Sequence, residues 1–71
     1  MSDIVDARGL SCPQPVLLAM AKMKEKTSGE IEVIVDNEVS RENVSRAARS
    51  QGWEVRGEQR DGDDCHLILA R

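Results

Sequence analysis

The chain has 71 residues, with 10 Lys and Arg against 13 Asp and Glu, a formal net charge of −3 and a hydrophobic fraction of 39%. A chain this short holds one core and no separate catalytic domain, so residues 1–71 are expected to form a single domain whose chemistry lies at the surface. The acidic balance argues against nucleic acid, which is bound by neutralising phosphates, and the longest apolar run, Val16 to Ala21, is far below the roughly 20 residues a membrane helix needs.

Ile4 to Ala7 is a short β-prone run that stops at Arg8-Gly9-Leu10-Ser11, where Gly9 permits a backbone conformation that other residues resist. Pro13 suits the first position of a helix, where its missing N–H costs nothing, and Val16, Met20 and Met23 then recur at helical spacing. The spacing predicts a first helix from about Pro13 to Lys26. Gly29 follows it, and Glu30 to Asp36 alternates as a strand with Ile31, Val33 and Val35 inward. Ser40 is a suitable N-cap for a second helix, with Val39 placed to touch Val44 as a hydrophobic staple; Val44, Ala47, Ala48 and Gln51 continue the period until Gly52. Trp53 to Gln59 alternates again, Asp61-Gly62 supplies a hairpin turn, and Cys65 to Ala70 returns as the last strand. The order is βαβαββ. It predicts an α/β (α+β) two-layer sandwich, with a four-stranded mixed sheet, both helices on one face and the other face open. Trp53 is the only aromatic residue, so the core is aliphatic, with Met20 and Met23 as helical core residues.

The segment Asp6-Ala7-Arg8-Gly9-Leu10-Ser11-Cys12-Pro13-Gln14-Pro15 puts a thiol at a helix start. The first N–H groups of a helix lack partners and its dipole places positive charge there, which favours thiolate over thiol at Cys12. Pro13 and Pro15 remove two of those N–H groups, leave those of Gln14 and Val16, and fix the entry angle. Arg8 on the preceding loop is a second source of positive charge. The competing reading makes Cys12 an indifferent capping residue in a rigid helix start, although cysteine caps poorly beside Ser, Thr, Asp or Asn.

Cys12-Pro13-Gln14-Pro15, with Asp6, Gly9 and Leu10 upstream, resembles the Cys-Pro-x-Pro motif of the TusA/SirA/YedF-like sulfur-carrier family, and the resemblance covers nearly the full chain. Val35-Asp36-Asn37-Glu38, Arg41-Glu42-Asn43-Val44 and Ser50-Gln51-Gly52 are more similar to the YedF-type branch, whose members are linked to selenium metabolism and often precede a DsrE-like domain. The resemblance implies that Cys12 takes a sulfane sulfur from a protein donor such as a cysteine desulfurase. It also implies relay to a protein acceptor, among which a DsrE-like domain is one candidate. On this reading the protein is a carrier rather than an autonomous enzyme and needs no cofactor. Asp6, Arg8, Gly9, Pro13, Gln14 and Pro15 are the motif and positioning residues around Cys12.

The remaining candidates are weaker. Cys65 is in phase with Leu67 and Leu69 and reads as a buried core residue, not a resolving thiol. His66 alternates outward with no evident carboxylate partner and reads as a plain surface residue. On the first helix, Gln14, Leu18, Lys22 and Glu25 share the face opposite Val16 and Met20, which makes Leu18 and Lys22 candidates for docking a partner. Ile34 and Ile68, with Ile4, point to the open sheet face; an interaction or regulatory module using that face is the alternative function. Two cysteines with one histidine fall short of a zinc ligand set, so no metal is expected. The first residues lack a secretory pattern, which predicts a cytoplasmic protein.

Overall fold

Alternating and helical periodicities translate into six elements in a computed structural model that describes residues 3–11, 14–26 and 28–71. They are β1 (Asp3–Asp6), α1 (Gln14–Glu25), β2 (Glu30–Val35), α2 (Glu38–Ser50), β3 (Glu54–Asp61) and β4 (Asp64–Ala70). The sheet order is β1-β2-β4-β3; β1 runs parallel to β2, and β4 is antiparallel to both β2 and β3. The βαβαββ order, the mixed four-stranded sheet and the two helices on one face are those the sequence predicts.

One face of the sheet carries the core. Val5 pairs with Val33, and Ile31, Val33 and Val35 pair with Leu69, Leu67 and Cys65, so the period of two places an apolar layer under the helices. Ala19 and Met23 of α1, Val44 and Ala48 of α2, and Trp53 close over that layer. Each fully buried Val, Leu or Ile contributes about 1.5–3 kcal/mol of transfer free energy. At the far end of the sheet Gly29 and Arg71 exchange both backbone bonds, at 2.9 and 3.0 Å.

The structure moves several local expectations. Pro15, Ala19 and Met23 are the buried residues of α1, while Val16 and Met20 pack at its flank; the core stripe is turned by about one residue from the predicted one. The N-cap of α2 is Asn37, not Ser40: its side chain accepts from the Ser40 backbone N–H at 2.8 Å. Ser40 lies inside the first turn and is buried. Val39 consequently sits within the helix and is 61% exposed, so it forms no staple. The hairpin turn is Gly62-Asp63, one residue later than predicted, between the paired Asp61 and Asp64. Among the described residues a positive φ is confined to glycines, so Gly62 at φ +63° is the first central residue of a type II′ pattern. A β-bulge at Arg56 separates Val55, opposite Leu69, from Gly57, opposite Ile68.

Candidate functional site

The loop from β1 to α1 is held by a series of short bonds. Ala7 N–H donates to the Ile34 carbonyl at 2.8 Å and extends the parallel ladder beyond β1. Arg8 N–H donates to Asp6 Oδ1 at 3.1 Å. Gly9 adopts φ +77°, a conformation that L side chains resist, and its N–H donates to Asp36 Oδ2 at 2.7 Å. Gln14 N–H then donates to the Ser11 carbonyl at 2.8 Å as α1 begins. Cys12 and Pro13 lie outside the described residues. On either side of them, Ser11 and Gln14 are exposed. Pro15 is buried, and the first turn of α1 has no acidic side chain to oppose the positive end of its dipole.

The structure brings Asp6 and Arg8 together. Arg8 donates from Nε and Nη2 to the two oxygens of Asp6 at 2.9 and 2.8 Å, and from Nη1 to Asp64 Oδ2 at 3.1 Å. Its guanidinium is thus anchored on the open sheet face between β1 and β4, its charge balanced by two carboxylates. The bonds from the Arg8 side chain and backbone hold the Asp6 carboxyl at about 2, below its ordinary 3.8. The same carboxylates raise the Arg8 pKa further, so Arg8 remains charged throughout the working pH range.

Leu10, Gln14, Leu17 and Leu18 line a surface groove of about 390 Å³ at this edge. Leu18 is 43% exposed, as its predicted place on the outer face of α1 requires, but Leu17 is more exposed still, at 58%. A signal for Leu17 was present: Val16, Leu17 and Leu18 are consecutive, and successive residues of a helix cannot all face one core. Lys22, the other docking candidate, pairs with Glu25 on its own helix at 3.7 Å.

Asp36, placed at the end of the second predicted strand, is a residue of this loop's support that sequence reasoning did not single out. Its signal was the parallel pairing itself: with Asp6 opposite Ile34, the residue two beyond Ile34 comes beside the β1–α1 loop.

Cys65 is buried, as its phase predicts, and its thiol donates to Glu58 Oε1 at 3.4 Å. Burial first, and the Glu58 carboxylate second, push the thiol pKa up, which leaves Cys65 a poor nucleophile. His66, expected to lack a carboxylate partner, has one: Nδ1 lies 3.0 Å from Glu32 Oε2. The two belong to neighbouring positions on adjacent strands, since Glu32 pairs with Ile68 and Ile34 with His66. Among the described residues no group of three or more His, Cys, Asp and Glu is placed to hold a metal ion.

The family described as Sulfurtransferase TusA matches residues 3–71. The chain belongs to the TusA family. Two relatives are similar over most of this chain. The "Putative sulfur carrier protein" of Archaeoglobus fulgidus is 33% identical over 71 residues, which are 99% of this chain and 81% of that protein. The "Putative sulfur carrier protein YrkF" of Bacillus subtilis is 31% identical over 69 residues, 96% of this chain, yet the chain spans only 37% of YrkF. In three dimensions the TusA-family fold is matched by the crystal structure of a SirA-like protein from Desulfitobacterium hafniense. Its TM-score is 0.86 at 29% identity, covering 99% of this chain and 96% of that one. Membership in the TusA family supports a sulfur-carrier role.

Proposed function

We propose that the domain formed by residues 1–71 carries sulfur as a persulfide on Cys12, accepted from a donor protein such as a cysteine desulfurase and passed to an acceptor protein. The Cys12 thiolate attacks the terminal sulfur of the donor persulfide; a new S–S bond forms, the donor S–S bond breaks, and the donor cysteine leaves as thiolate. An acceptor thiolate repeats the exchange on the same sulfur atom, so no outside oxidant is required. The protein acts as a carrier whose turnover depends on its partners.

The observation that carries this reading is the start of α1. The helix opens at Gln14, two residues after Cys12 in a Cys-Pro-x-Pro motif, in a member of the TusA family, and no acidic side chain in its first turn opposes the dipole. Such a helix end favours the anionic thiolate and persulfide. Asp6, Arg8 and Gly9 secure the loop on the upstream side, and Pro13, Gln14 and Pro15 set the helix entry. The groove of Leu10, Gln14, Leu17 and Leu18, with Lys22 beyond it, offers the protein partners an apolar contact at the same edge. The similarity of Val35-Asp36-Asn37-Glu38 to the YedF-type branch supports a DsrE-like acceptor in sulfur or selenium metabolism. A free thiol at Cys12 suits the reducing cytoplasm.

Intact-mass spectrometry after incubation with a cysteine desulfurase and cysteine, without reductant, tests the proposal. The wild type and Cys65→Ala should each gain one sulfur atom that dithiothreitol removes, while Cys12→Ala gains none. Uptake that persists in Cys12→Ala, or no uptake by the wild type, would overturn it.

A further inference from the structure

The Asp36 carboxylate stands between two parts of the chain that are distant in sequence. Oδ2 accepts the Gly9 N–H at 2.7 Å, and Oδ1 accepts the side-chain amide Nδ2–H of Asn37 at 3.1 Å. The Asn37 side-chain oxygen, Oδ1, in turn accepts the Ser40 N–H at 2.8 Å, which caps α2. Donor and acceptor alternate along this series: Gly9 N–H, Asp36 carboxylate, Asn37 amide, Ser40 N–H. It therefore has a direction, set by the Asn37 amide: reversing it would put two donors face to face at the Ser40 N–H and two acceptors face to face at the Asp36 carboxylate.

We propose that Asp36 and Asn37 are positioning residues for sulfur transfer, forming a directional relay that fixes the backbone before Cys12 to the N-terminus of α2. The inference rests on the reading of Cys12 as the sulfur-bearing residue. Gly9 is three residues from Cys12, and its positive φ leaves its N–H as the point at which a rigid element can hold the turn. The carboxylate is an acceptor of the strong, charge-assisted kind. The N-cap bond to Ser40 and the buried Ser40 side chain lock the other end to the core. A loop held in this way presents its nucleophile in one geometry, and small displacements of a reacting group are costly in rate.

Exchanging the two residues provides the test. In Asp36→Asn an amide faces an amide; in Asn37→Asp a carboxylate faces a carboxylate. In the double variant Asn at 36 accepts from Gly9 and donates to Asp at 37, which accepts from Ser40 and is as good a cap as Asn. The rate of sulfur loading on Cys12 from a cysteine desulfurase should fall by about 10- to 100-fold in each single variant. It should return to within about threefold of wild type in the double variant, all compared at a temperature where every variant is folded. Amide hydrogen exchange at Gly9, which requires no sulfur chemistry, should be slow in wild type and double variant and fast in the single variants. Single variants that load at the wild-type rate, or a double variant as slow as the singles, would overturn the inference. Failure of the wild type itself to load Cys12 would instead overturn the reading on which it rests, and Gly9 exchange unchanged across the series would refute the relay independently.

Discussion

Asp6 and Arg8 are two residues apart at the end of β1, and a bidentate pair between them is closed by a third bond to Asp64 on β4. Because the folded-state pKa of Asp6 is depressed to about 2 from 3.8, its contribution to stability is fully present above about pH 4 and is lost as pH falls through 2. The melting temperature of the wild type should drop over that interval, and the difference between wild type and Asp6→Asn should shrink toward pH 2; a constant difference would refute the pairing. Glu38 is also held below its ordinary value, by Arg60 and then Arg41, so the variant flattens the acid limb without abolishing it. Cys65 shows how much a single residue's phase reveals: alternation with Leu67 and Leu69 suffices to bury it. Its bond to Glu58, like that of His66 to Glu32, depends on strand register, which residue types alone do not specify.

The elements were legible wherever one period dominates. In β2 and β4 the core-facing apolar residues, Ile31, Val33 and Val35 and then Cys65, Leu67 and Leu69, recur at every second position, and the strand limits in the structure differ from the predicted ones by a single residue. α1 was legible in extent but not in rotation, because the six consecutive apolar residues from Val16 to Ala21 offer several equivalent apolar stripes. For α2, Asn37 and Ser40 are both competent caps, three residues apart, and what decides between them is tertiary: Ser40 is needed in the buried first turn. Leu67 lies at the centre of the core layer, fully buried opposite Val33. Urea denaturation of Leu67→Ala should show a loss of about 2–5 kcal/mol. At Gly62 an added Cβ would meet nothing within 4 Å, but φ is +63°. The cost of Gly62→Ala is therefore conformational only, about 1–2 kcal/mol by the same measurement, and a larger loss would point to contacts absent from the structure.

At the scale of the molecule, the parallel pairing of β1 and β2 brings the β1–α1 loop and the N-terminus of α2 to one edge, where Leu17 and Leu18 are also exposed. Leu17→Glu/Leu18→Glu should slow loading from a protein donor by about tenfold or more. Its melting temperature and the reaction of Cys12 with a small persulfide should be unchanged; equal slowing with both donors would mean that the pair supports the loop and not a partner. The open face reads differently whole than in pieces. Ile4, Ile34 and Ile68 do lie on it, but the register sets Glu32 between Ile4 and Ile68, and Ile34 between Asp6 and His66. Apolar and polar residues alternate there as on a checkerboard, with no continuous apolar patch among the described residues, and only the pairing of strands discloses that.

The doubled backbone bond between Gly29 and Arg71 has a practical meaning for handling the molecule. Asp3 opposite Ile31 and Glu30 opposite Ala70 put Asp3 and Arg71 at the same pole. The loop that ends at Ser11 occupies the opposite pole, one strand length or about 20 Å away. A tether, a fluorophore or an immobilising surface attached at either site would leave the other pole free to meet its partners.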